Sequence, residues 1–225
     1  MNEKLLSLFT KYSTSVTIDD VTLFIRLPTE QAINDCRFAA LLASNALRKK
    51  LRDPSSDEYA VYIEPIADFT DDELRNLCLL FGIKNAARDY RNTHPKPKLP
   101  KLSDYPTLEE QEEYAQAEHR RDAEYEANLR AYLEATQADL MQALQKASRD
   151  QLIEMYKKYR IDDLAETAFS STFQNELMAR SIYVDRAFKQ PAFSPEQYMQ
   201  LPQKVRSVLE QALASITIDD EDLKK

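Results

Sequence analysis

The sequence predicts a mainly α-helical protein: helical modules, one small N-terminal β-hairpin, and a long helix after a proline-rich linker. Three observations carry this reading. Gly82 is the single glycine in 225 residues, whereas barrels and sandwiches tend to use glycine at turns and bulges. Helix starts are written out in full, as in FTDDEL and FSPEQY, where a Thr or Ser is followed three residues later by Glu or Gln. Sustained alternation of apolar and polar residues is confined to SVTIDDVTLFIRLP.

The elements follow in chain order. Residues 3–12 are expected to form a short helix. Val16 and Ile18, then Val21, Leu23, Ile25 and Leu27, alternate around Asp19-Asp20 as a hairpin with a tight acidic turn would. Thr29 caps a helix to about Arg52, with Ile33, Cys36, Ala40, Ala43, Leu47 and Leu51 at helical spacing, and Phe38, Leu41 and Leu42 widening the stripe into a core. Residues 55–66 fit two patterns: Tyr59, Val61 and Ile63 alternate as a strand, while Ser55 with Glu58 starts a helix that Pro65 would end. Thr70 with Glu73 opens the next helix, and Gly82 is read as its left-handed C-cap. A short helix through Asn92 closes the first module, residues 1–92.

Residues 93–106, THPKPKLPKLSDYP, hold four prolines and predict an extended, semi-rigid linker. Behind them, residues 107–225 form an acidic helical module. Thr107 caps a helix to about Ala147, whose first half is almost wholly polar and whose second half carries Tyr125, Leu129, Tyr132, Leu133, Leu140 and Leu144. A polar half-helix has no core to join, so residues 107–123 are expected to project as an arm. Tyr105, Leu108 and Tyr114 are the candidate partner-binding residues on and beside it, since exposed Tyr suits interfaces. Further helices are expected from Ser148 through Tyr159, from Asp162 to Arg186, and from Ser194 to about Ile216, before the acidic tail DDEDLKK.

Charge divides at the same linker. Residues 1–106 carry 15 Lys+Arg against 15 Asp+Glu, and residues 107–225 carry 15 against 23. The acidic half argues against nucleic-acid binding, which rewards clustered cations. No apolar run approaches the ~18 residues of a membrane span, and MNEKLLSLFTKYS lacks the pattern of a signal peptide. The expectation is a soluble protein, with no membrane partner.

Catalytic chemistry has little to work with. His94 and His119 are the two histidines, and Cys36 and Cys78 the two cysteines. Neither histidine stands three residues after a glutamate, as a helical di-metal site requires, and no zinc-ligand spacing is present. The cysteines sit in apolar helical patterns and read as packing thiols in a reducing compartment. No cofactor is expected, and no enzymatic activity; a helical enzyme using carboxylates is the remote alternative.

The stretch IRLPTEQAINDCRFAALLASNALRKKLRD resembles the tail assembly chaperones of tailed bacteriophages. The likeness lies in a β segment ending in Arg26, Pro28 and Thr29, an Ala- and Arg-rich helix, and Asp-rich short helices behind it. FSPEQYMQLPQKVRSVLEQAL is similar to the closing segment of phage tail accessory proteins, with its break at Leu201-Pro202. The resemblance implies a non-enzymatic protein that holds tape-measure or tail-tube proteins during assembly. It further implies action in the host cytoplasm or, for a structural component, presence in the virion. A cytoplasmic helical adaptor, possible as an oligomer, is the competing reading.

Overall fold

The computed structural model describes residues 12–99 and 107–216, apart from the side chain of Leu108. Its elements are β1 (Ser13–Ile18), β2 (Val21–Arg26), α1 (Glu30–Lys50), α2 (Asp57–Tyr62), a 3-10 turn (Glu64–Asp68), α3 (Asp71–Thr93), α4 (Leu108–Lys146), α5 (Arg149–Ser181), β3 (Ile182–Tyr183), α6 (Pro195–Gln200) and α7 (Gln203–Ala214). The protein is mainly helical, with one small antiparallel sheet. The helix expected over residues 3–12 lies, but for Tyr12, outside the described residues.

The chain forms two compact units, residues 1–52 with 163–225, and residues 53–162. These divisions differ from the boundaries that composition suggests. The linker at 93–106 joins two helices of one unit, while residues 12–52 and 163–216 come together in the other. Both facts depend on pairings between residues far apart in sequence, which no local pattern encodes.

In the first unit, β1 and β2 pair from Ser13↔Arg26 to Ile18↔Val21. Asp19 and Asp20 both take positive φ, 46° and 66°, the two-residue turn whose twist matches the strands. β3 adds to the outer side of β2 through Phe24↔Tyr183 and Ile25↔Ile182. The helix expected through Arg186 therefore stops at Ser181. Leu23, Ile25, Met178, Ile182, Tyr198, Leu209 and Ile216 form the core beneath the sheet. The hairpin and residues 178–216 are thus fastened by apolar packing as well as by strand pairing. FSPEQY folds as expected: Ser194 accepts from Gln197 N and Gln197 returns the bond to Ser194 N, with Pro195 opening α6.

In the second unit, residues 57–62 are helical, capped by Ser56 rather than Ser55. The Thr70–Glu73 capping box opens α3, but α3 runs unbroken through Gly82 to Thr93. Gly82 is not a C-cap. It is buried against α4, where a Cβ would stand 2.9 Å from Leu140 Cδ1, so the missing side chain serves close helix approach. Arg75 Nε donates to Leu144 O at 3.4 Å, and the Tyr90 ring lies 5.0 Å from that of Tyr132. α3 and α4 are therefore antiparallel partners. α5 is likewise continuous where a break near Asp162 is expected.

Candidate functional site

The three residues singled out for partner binding fare differently. Tyr105 lies outside the described residues. Leu108 is the first residue of α4. Tyr114 is half-buried, on a narrow stripe that continues through Ala117, Arg121, Tyr125, Leu129, Leu133, Leu140 and Leu144. Its spacing of three and four residues puts that stripe along one side of the helix. Tyr114 thus shares the side by which the second half of α4 packs, a continuity hidden in the sequence because small and charged residues interrupt it.

The linker also returns along the helix. Lys96 Nζ sits 3.4 Å from Asp122 Oδ2 and 5.4 Å from the Tyr125 ring centroid, and Arg121 donates to Pro97 O at 3.4 Å. Asp122 is also held by Arg121 at 2.7 Å. These bonds hold its carboxyl below the ordinary aspartate range, the Arg121 hydrogen bond most of all. The end of α3 and the linker thus meet α4 at residues 121–132. The polar half-helix is strapped at its base, and Tyr114 and Ala117 within it are half-buried.

The first unit offers a second surface. Phe38, Leu41 and Leu42 of α1 are 62%, 47% and 55% exposed, although their helical spacing reads as core. The buried face of α1 is instead Cys36, Ala40 and Ser44, small residues that let the helix lie close. Sequence periodicity missed the distinction because both faces are apolar, and only the size difference hints at which is inside. Asn34 and Asn45 border the exposed patch, with Arg37 and Lys49 at its rim and Asp35, held by Arg180 at 3.5 Å, one turn before Phe38.

The third feature is a cleft of about 370 Å³ in the first unit. Arg26, Pro28 and Thr29 at the exit of β2 line it together with Phe193 and Pro195. The two segments that carry the family resemblance therefore meet at one place. Arg26 Nη2 donates to Tyr183 Oη at 3.0 Å, and Tyr183 Oη donates to Arg180 O at 2.8 Å. The Arg26 guanidinium lies 4.8 Å from the Tyr183 ring and 5.3 Å from that of Phe188. Phe188 holds this position with φ at 54°, in a loop organised by Asp185. That carboxylate accepts from the backbone N–H of Gln190, Lys189 and Ala187, which holds its pKa below the ordinary value.

His94 stacks on Tyr90 with centroids 4.5 Å apart, and His119 is exposed on α4. Cys36 and Cys78 are fully buried, and burial raises both thiols, that of Cys78 to about 11. Among the described residues no helix is long and apolar enough to cross a membrane. Comparison of the chain with protein-family models, curated proteins and solved structures finds no match.

Proposed function

We propose that this protein acts through protein–protein contacts, without enzymatic activity, as a tail assembly chaperone or tail accessory protein would. The observation that supports the reading is the exposed Phe38–Leu41–Leu42 patch on α1. Contiguous apolar side chains on a helix face are a recurring mark of an interaction surface.

The patch itself argues for the kind of partner, an apolar one. Arg37 and Lys49 stand at the border of the patch, with Asp35 one turn before Phe38, so the rim carries both signs of charge. The occupant we favour is an apolar helix of another protein. In the phage reading that protein is the tape-measure or tail-tube protein.

The test is co-expression with the proteins encoded by the neighbouring reading frames. Phe38→Asp with Leu42→Asp is expected to abolish co-purification while leaving the thermal melt nearly unchanged, because the sites are on the surface. Capture by the double variant equal to that of the parent would overturn the reading. Self-association through the same face in the parent, lost in the variant, would also contradict it.

A further inference from the structure

We infer that the free edge of β1 pairs antiparallel with β1 of a second copy of this chain, joining two three-stranded sheets across a two-fold axis. This pairing is separate from the α1 patch and stands on separate observations. β1 is one margin of the sheet, whose order is β1-β2-β3. The other margin is closed, since β3 has only two residues and Tyr183 within it bridges to Pro191. Leu27 N donates to Tyr12 O at 3.1 Å, so in the observed register Tyr12, Thr14, Val16 and Ile18 turn their N–H and C=O groups toward β2. Those of Ser15 and Thr17 point away from β2, and no backbone partner meets them among the described residues.

A bare edge is a template for another strand, and folded proteins ordinarily blunt it with a charge, a proline or a bulge. β1, STSVTI, carries none of these: it is uncharged, free of proline and paired residue for residue with β2. Its pattern is also self-complementary. When Val16 faces Val16 of the second copy, Thr14 faces Ile18 and Ser15 faces Thr17, so the core-side residues stay on one side of the joined sheet. Ser15 and Thr17 then exchange both backbone bonds, and symmetry repeats the exchange. Val16 and Ile18, half-buried where they pack on the core of the first unit, gain cover from their counterparts.

Charge favours this occupant in this orientation. Asp19 and Asp20 lie beyond the paired residues, and the antiparallel arrangement sends the two acidic turns to opposite ends, about 20 Å apart at ~3.4 Å per residue. That separation exceeds the ~8 Å Debye length, so the turns do not repel at close range. A parallel pair would set them side by side. One edge of six residues is small beside the ~1,200 Å² of stable interfaces, which makes the pair reversible, dissociating in the micromolar range.

Sedimentation velocity of the full-length chain over a concentration series should show a monomer–dimer equilibrium, unchanged in Phe38→Asp with Leu42→Asp. Ser15→Lys with Thr17→Lys sets two lysine pairs across the axis and should weaken the dimer about tenfold. Ser15→Lys with Thr17→Glu makes both pairs opposite in charge and should restore it. Both positions are exposed, so circular dichroism should show each variant folded. On oxidation Val16→Cys should link two copies, because facing residues at a non-hydrogen-bonded position stand ~4.5 Å apart at Cα. The parent should not link, since Cys36 and Cys78 are buried. A parent that is monomeric at every concentration, equal association of the two charge variants, or loss of the dimer in the Phe38 and Leu42 variant would each overturn the proposal. So would a monomeric parent from which the double lysine variant strips a co-expressed protein, since the edge would then belong to another chain.

Discussion

Arg149 Nη1 lies 2.6 Å from Asp71 Oδ1, and Arg149 Nη2 donates to the carbonyls of Ala67 and Phe69 at 2.8 Å each. One guanidinium at the start of α5 thus braces the entry into α3, satisfying two carbonyls that precede the helix. The fork makes this possible, because its donors diverge in one plane. With both side chains nearly half exposed, the Coulombic part is screened and the backbone bonds matter more. Arg149→Ala is expected to lower unfolding stability by about 1 kcal/mol, and Arg149→Lys by somewhat less. Urea titrations followed by circular dichroism would show this; parent-like midpoints in both variants would contradict the bracing role.

Gly82 gives a second prediction. In an open helix Ala is favoured over Gly by about 1 kcal/mol, but here the new methyl would meet the mobile end of Leu140 at 2.9 Å. Gly82→Ala should therefore be close to neutral, since Leu140 can shift. Gly82→Val adds branches that the interface cannot absorb and should cost about 1–3 kcal/mol. Thermal melts of the two variants provide the check, and a Val variant as stable as the parent would mean that α3 and α4 are not this close.

Gly82 also shows where sequence reasoning reaches its limit. A glycine followed by Ile83 fits a helix end as well as a helix crossing, and only Leu140, 58 residues on, decides between them. Caps were legible because they are local: Thr70 with Glu73, Thr107 with Glu110, and Ser194 with Gln197 all close as boxes. The hairpin was legible for the same reason. β3 was not, because Ile182 and Tyr183 gain their strand geometry from Ile25 and Phe24. The Arg26 cleft was hidden too, since Tyr183, Phe188 and Phe193 reach it from the far end of the chain. Phe38, Leu41 and Leu42 were visible as apolar residues, but which apolar face of α1 is buried is a tertiary fact.

The thiols supply a prediction about pH. Cys78 donates its S–H to Leu152 O at 3.6 Å, and burial keeps its pKa near 11 in the folded chain. An unfolded cysteine ionises near ~8.5. The folded state therefore keeps the proton longer, and its advantage is intact below the unfolded value. That advantage is lost as pH rises from ~8.5 toward the folded value. Stability should fall across this window, and Cys78→Ala should show a shallower fall. At pH 8 iodoacetamide should label neither cysteine in the native chain and both in denaturant. Rapid native labelling of Cys78 would contradict its burial.

The central claim is that α1 meets a partner through Phe38, Leu41 and Leu42. Its most direct measurement places the photoreactive residue benzoylphenylalanine at Leu42 and, in a separate chain, at Val61, which is 63% exposed but lies in the other unit. Each is co-expressed with the proteins of the neighbouring reading frames and irradiated. The account predicts a covalent adduct with one of those proteins from position 42 and little or none from position 61. Equal adducts from both positions, or none from position 42 while a complex still forms, would contradict it.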